Sequence, residues 1–104
     1  MEIKTIDINA KEWRDKINGN SYFSARVIIN YKLKDEISFI LPFQYGYDNH
    51  YIDMGKEQIE KQLNLKKGLL SRDYLEDNKI ILRANKQINC LKRELNEFVG
   101  GVWI

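Results

Sequence analysis

Hydrophobic and polar residues alternate most regularly in the middle of the chain. From 22 to 33 every second residue is apolar, and most residues between them are polar. After Lys34-Asp35 the alternation resumes at Ile37 and continues to Phe43. A period of two is typical of strands with one buried face, and a short polar turn between two such runs predicts a β-hairpin. Pro42 places the second strand at a sheet edge or at its own end, because proline cannot donate to a ladder.

The N-terminal segment predicts a strand followed by a short helix. EIKTIDI (2–8) alternates in the same way as the central hairpin. Asn9 and Glu12 have the spacing of a capping box, in which each side chain accepts a hydrogen bond from a backbone N–H at the helix start. Trp13 and Ile17 would then share one face of the helix.

The second half of the chain predicts further helices and one more strand. Helix starts are expected at Asp53, Ser71 and Asn89, and KIILR (79–83) is expected to form a short strand between the second and third of these helices. Gly100-Gly101 would end the last helix. The order of elements predicts an α+β fold, with a small antiparallel sheet built on the central hairpin and helices packed on one face.

Composition adds the size and the cellular setting. The chain has 104 residues, of which 43% are hydrophobic, and this predicts one globular domain over 1–104. Cys90 is the only cysteine, which excludes an intrachain disulfide and favours a reducing compartment. The N-terminus lacks the apolar core of a signal peptide, and no apolar run is long enough to span a membrane. We therefore expect a cytoplasmic protein without a membrane partner.

An aromatic loop is the first candidate site. The stretch FQYGYDNHYIDMG (43–55) contains four aromatic rings within its first nine residues and the only histidine of the chain. Protein interfaces favour tyrosine because it buries a large area at a small entropic cost. The alternative is that the rings fold back and hold the loop on the hairpin. The predicted protein-binding residues are Tyr45, Tyr47, Asp48, His50 and Tyr51.

Catalytic and metal chemistry have little support in the sequence. His50 lies between Asp48 and Asp53, but turn formation and helix capping account for both carboxylates. Cys90 would need a base to become a nucleophile, and only His50 is available. No phosphate-binding, dinucleotide-binding or zinc motif occurs. We predict a non-enzymatic protein with no metal and no cofactor.

A group of basic residues is the second candidate site. Residues 79–93 contain no acidic side chain, although the net charge of the whole chain is only +2. Cations neutralise phosphates, and tyrosine rings can stack on bases. This leaves nucleic-acid binding open, and also the sequestration of a small nucleotide by the tyrosine loop. The alternative nucleic-acid-binding residues, called the basic stripe below, are Lys79, Arg83, Lys86, Lys92 and Arg93.

Three segments carry a resemblance to a known group of proteins. NGNSYFSARV (18–27), LPFQYGYDNHY (41–51) and KIILRANKQINCLKREL (79–95) resemble small uncharacterised proteins of tailed bacteriophages and prophages. The resemblance implies an accessory protein that binds a host or defence-system protein, for example as an inhibitor of bacterial immunity, or that binds nucleic acid. Homodimerisation through an exposed sheet edge is also open. The apolar tail 102–104 is expected either to pack on the core or to bind a partner.

Overall fold

The computed structural model describes residues 2–100, so the tail at 102–104 and Gly101 lie outside the described residues. Within this range the chain forms four strands and three helices. The elements are β1 (Thr5–Asp15), β2 (Asn20–Ile29), β3 (Ile37–Tyr45), α1 (His50–Gln62), α2 (Arg72–Asp77), β4 (Ile81–Gln87) and α3 (Lys92–Phe98).

The four strands form one mixed sheet in the order β3-β2-β1-β4. The predicted α+β class is confirmed, and so are the central hairpin of β2 and β3 and the edge position of Pro42. The sheet is not wholly antiparallel, because β4 pairs parallel to β1. The reason is the long crossover through α1 and α2, which returns the chain to the other edge in the direction of β1.

Residues 9–15 continue β1 and do not form the predicted helix. Asn9 pairs with Arg26 of β2 on one side and with Asn85 of β4 on the other. Ladder hydrogen bonds on both sides of β1 therefore outweigh the local capping signal. β1 ends at a turn in which Asp15 Oδ1 accepts from the backbone N–H of Ile17 at 3.0 Å.

One face of the sheet, called face A, carries the main core. Alternate residues of β1 and their partners in β2 point to this face, and α1 lies across it. Gly55 allows α1 to approach closely, because a Cβ there would lie 2.6 Å from Ile8 Cδ1. The buried residues of this core are Ile6, Ile8, Ala10, Phe23, Ala25, Val27, Ile29, Leu41, Tyr51, Ile59, Leu70 and Leu75.

The third helix departs from the predicted arrangement, because α3 packs on the opposite face, called face B. The Ser24 hydroxyl, which alternates with the core residues of β2, donates to the backbone carbonyl of Leu95 at 2.6 Å. The Phe98 ring lies under Arg26, whose Cζ is 4.8 Å from the ring centroid, and under Lys11, whose Nζ is 5.2 Å away. On face B, α3 therefore packs against the small buried side chain of Ser24 and the long cationic side chains of Lys11 and Arg26.

The ends of several elements also differ from the predicted ones. The strand expected at 79–83 occupies Ile81–Gln87, and Asn49 is the N-cap of α1, so Asp53 lies in its first turn. Leu91, not Asn89, is the N-cap of α3. Ser71 caps α2 as expected, since its hydroxyl accepts from the backbone N–H of Tyr74. None of the helices within 2–100 is long and apolar enough to cross a membrane.

Candidate protein-binding surface

The aromatic loop is an ordered connection between β3 and α1. Gly46 is buried, and a Cβ at this position would lie 2.6 Å from both the His50 and the Phe23 rings. The Lys86 ammonium donates to the backbone carbonyl of Asp48 at 2.7 Å, which ties the loop to β4. Asp48 itself has a positive φ of 51°, a conformation that Asp adopts more readily than most residues. The loop is therefore fixed by close packing and by one cation.

The predicted tyrosines do not form one patch. Tyr45 and Tyr47 are 55% and 58% exposed, whereas Tyr51 is only 6% exposed and belongs to the main core. Tyr51 is the second residue of α1, so its ring points to face A, and burial raises the pKa of its phenol. Tyr51 is thus a residue of the core and not of an exposed surface, contrary to its prediction as a protein-binding residue. Asp48 and His50 are exposed.

The two exposed tyrosines are the outer end of a continuous row of rings. Tyr22 stacks on Trp13 with centroids 5.6 Å apart and on Phe43 with centroids 5.1 Å apart. Tyr45 contacts Tyr22 edge-on at 5.9 Å, and Tyr47 contacts Tyr45 edge-on at 6.4 Å. Each contact restricts the rotamers of the next ring. Tyr45 and Tyr47 are therefore held in place before any partner arrives, which lowers the entropic cost of binding.

Arg14, which the sequence did not indicate as a binding residue, lines a groove beside these rings. The groove has a volume of about 450 Å³ and is lined by Glu12, Arg14, Gly19, Asn20, Ser21, Tyr45, Tyr47 and Asp48. Arg14 is exposed, and no carboxylate of residues 2–100 forms an ion pair with it. Tyrosine and arginine are the residue types most enriched at interface hot spots. We call Arg14, Tyr45 and Tyr47 the tyrosine surface.

The sequence did not point to Arg14 because residues 9–17 were predicted to be helical, whereas β1 continues to Asp15 and includes Arg14. Its position in a strand, two residues from Glu12 on the same face, follows from the pairing of Arg14 with Ser21. In a helix over 9–17 the Arg14 guanidinium would have pointed in a different direction. The signal available in the sequence is the turn sequence at 15–19, which is compatible with a hairpin.

His50 and its acidic neighbours form no metal centre in the described part of the chain. The His50 ring packs edge-on against Phe23 with centroids 6.1 Å apart. Within residues 2–100 no three histidine, cysteine or carboxylate side chains are arranged to hold a metal ion. Cys90 is buried, and burial, with a smaller effect from Glu94, raises the pKa of its thiol. A neutral buried thiol is a weak nucleophile.

The structure separates the residues of the basic stripe. Arg83 forms two hydrogen bonds with the Asp7 carboxylate, at 2.6 and 2.9 Å, and this pairing raises the pKa of the guanidinium. Lys86 pairs with Glu12 at 3.0 Å, and both side chains are only 15% exposed. The carboxylates come from β1, about 75 residues away in sequence, so their effect is invisible in the local composition of 79–93.

The remaining cations of the stripe lie apart from one another. Lys79 precedes β4, whereas Lys92 begins α3 beyond its other end, so the seven strand residues alone separate them by roughly 20 Å. The Lys92 ammonium lies 5.3 Å from the Trp13 centroid and 5.9 Å from that of Phe43. Arg93 is exposed. The stripe is therefore not one continuous phosphate-binding surface.

Comparison with known proteins gives no relative for this chain. No protein-family model matches it, and neither the curated proteins nor the solved structures give a match. Fold and geometry define an α+β protein with a rigid, exposed tyrosine–arginine surface.

Proposed function

We propose that this protein is a non-enzymatic binding protein that contacts another protein through the tyrosine surface. The observation that supports this is the exposure of Tyr45 and Tyr47 on a fixed row of rings, beside Arg14, which has no ion pair with any carboxylate of residues 2–100. Such residues bind strongly when a partner removes water from around them. Because the rings are already ordered, little conformational entropy is lost on binding.

The charges around the groove favour a protein partner over a nucleotide or a nucleic acid. The Asp48 carboxylate lines the same groove as Arg14 and disfavours a phosphate group there, whereas the charge of Glu12, which also lines the groove, is balanced by Lys86. A protein partner can instead match this mixture of one cation, one uncompensated acid and two phenol groups with complementary side chains. Nucleic-acid binding by the basic stripe is disfavoured in addition by the pairing of Arg83 and Lys86.

The resemblance to small phage proteins supplies a setting for this proposal. In that setting the protein would act in the cytoplasm of the bacterial host, and the partner would be a host or defence-system protein. Occupation of a functional surface on that partner would make the protein an inhibitor without any chemistry of its own. No cofactor and no metal enter this mechanism.

The test is capture of partners by the tagged protein from bacterial lysate, with and without nuclease. The decisive variant is Tyr45→Ala/Tyr47→Ala, and the matched control is Tyr31→Ala. Tyr31 is also a largely exposed tyrosine, at 46%, but it lies in the loop after β2. Mass spectrometry identifies the captured proteins in each of the three samples, and those that the double variant loses are then measured with the purified chain by calorimetry.

We expect a nuclease-resistant protein partner that the double variant loses and the control retains. Truncation of two hot-spot tyrosines costs about 2 kcal/mol or more, which is roughly 30-fold in the dissociation constant. Equal capture by the double variant would contradict the proposal. So would a set of partners that disappears entirely on nuclease treatment, because it would indicate binding through nucleic acid.

A further inference from the structure

The two edges of the sheet differ in their protection against pairing with another strand. β3 contains Pro42, and beside it the register with β2 shifts, as in a β-bulge. Both features block the approach of a further strand. β4, the opposite edge, contains no proline, no glycine and no register shift against β1. It is the edge that remains open to another strand.

The outward-facing backbone groups of β4 follow from its register. The Ile81 N–H donates to the Lys4 carbonyl at 3.1 Å, so Ile81 directs its backbone groups toward β1. In a parallel ladder alternate residues face the same neighbour. The N–H and C=O groups of Leu82, Ala84 and Lys86 therefore point away from β1. Within residues 2–100 no strand pairs with that side of β4.

The cations of β4 do not prevent this edge from pairing with a second copy. Free lysines on an edge strand usually repel a second copy of the same strand. Here the side chains of Arg83 and Lys86 are turned back to Asp7 and Glu12 of β1, and both charges are compensated. At the centre of the strand lies Ala84, a small and exposed residue. The middle of this edge therefore has little charge or bulk to oppose a second copy.

We propose that β4 pairs antiparallel with β4 of a second copy, about a two-fold axis at Ala84. Every outward N–H of both strands then faces a carbonyl of the other copy. No like charges are opposed in this register. The cross-strand pairs are Ala84 with Ala84, Arg83 with Asn85, Leu82 with Lys86 and Ile81 with Gln87.

Neighbouring registers are less favourable. A shift of the two-fold axis by one residue toward the N-terminus places Arg83 opposite Arg83 of the second copy, and directly opposed like charges are destabilising. The register centred on Ala84 also pairs all seven residues of β4. One step beyond each strand end it brings Ile80 near Ile88 of the second copy, and Ile88 is 55% exposed in the single chain. The dimer thus joins two mixed sheets into one.

The test uses two variants that each add one carboxylate to the same strand. Ala84→Glu places two like charges at the two-fold axis, whereas Asn85→Glu places each new carboxylate opposite Arg83 of the second copy. Both residues are exposed, so the fold is expected to tolerate either change, and circular dichroism checks this. Sedimentation equilibrium over a range of concentrations measures the dissociation constant of the dimer.

We expect the unmodified chain to sediment as a reversible dimer. Ala84→Glu should weaken the dimer by about tenfold or more, while Asn85→Glu leaves it as tight or tighter. A monomer at all concentrations would overturn the proposal, and so would an equal loss in both variants. The proposal does not depend on the tyrosine surface, because Tyr45→Ala/Tyr47→Ala should leave the dimer intact even if it abolishes partner binding.

Discussion

Tyr47 and Tyr51 lie four residues apart, yet their side chains have opposite environments. Tyr47 is 58% exposed, and Tyr51 is 6% exposed. The start of α1 lies between them, and the helix turns Tyr51 toward face A while Tyr47 stays on the loop. The two residues are therefore expected to differ in what they contribute: Tyr51 to folding and Tyr47 to binding.

This difference predicts opposite results in stability measurements. Tyr51→Ala should lower the free energy of unfolding by about 3 kcal/mol, because it removes a large buried ring. Tyr47→Ala should change it by no more than about 0.5 kcal/mol. Urea titrations followed by circular dichroism measure both values. If Tyr47→Ala proves as costly as Tyr51→Ala, the exposed ring has a structural role and the tyrosine surface loses its main support.

At the scale of elements, the close approach of α1 to the sheet sets the shape of the main core. α1 contains Gly55 near its middle, where glycine lowers helix stability by about 1 kcal/mol relative to alanine. The structure accounts for this choice, because a Cβ at Gly55 would lie 2.6 Å from Ile8 Cδ1, and Ile8 is fully buried. Packing against the sheet therefore outweighs helix propensity.

We expect Gly55→Ala to destabilise the protein by about 1–3 kcal/mol, despite the gain in helix propensity. Ile8→Val removes Cδ1, the atom nearest to the new methyl group. The double variant should consequently lose less than the sum of the single losses, with a coupling energy of about 1 kcal/mol. Urea titrations of the four proteins in this cycle measure the coupling. Strict additivity would show that Ile8 is not the obstacle.

At the scale of the whole molecule, long-range ion pairs decide how the charge is presented. The net charge is +2, and two cations of the basic stripe are compensated by carboxylates of β1. Lys92 lies over aromatic rings, and the remaining cations are spread along the molecule. A single strand of nucleic acid would thus meet few uncompensated cations along the basic stripe.

The expected result is weak and non-specific binding to nucleic acid. At about 150 mM salt, the dissociation constant for a labelled single strand should be no tighter than about 1 µM. Fluorescence anisotropy measures this, with Arg93→Glu as a variant at an exposed residue of the stripe and Lys34→Glu, an equal change of charge at an exposed residue outside the stripe, as a control for net charge. Tight binding that falls steeply with salt and is weakened by Arg93→Glu would favour the nucleic-acid function instead.

The sequence by itself determined the local features of the fold. Alternation predicts the hairpin of β2 and β3, because one face of each strand is buried and the other is not. Pro42 marks an edge strand, since it lacks a donor. Ser71 predicts the start of α2, and its hydroxyl does cap that helix. Each of these depends on residues that are neighbours along the chain.

Only the tertiary structure decided the features that depend on distant partners. Residues 9–12 carry a helix-capping pattern, but pairing with β2, and with β4 as far as Lys11, keeps them extended. Arg83 is a free cation in the local sequence and an ion-paired one beside Asp7. The exposure of Tyr45 and Tyr47, and the nearness of Arg14 to both, result from the packing of three strands and a loop. The physical reason is the same throughout: hydrogen bonds, charge pairing and burial are set by residues that meet only after the chain has folded.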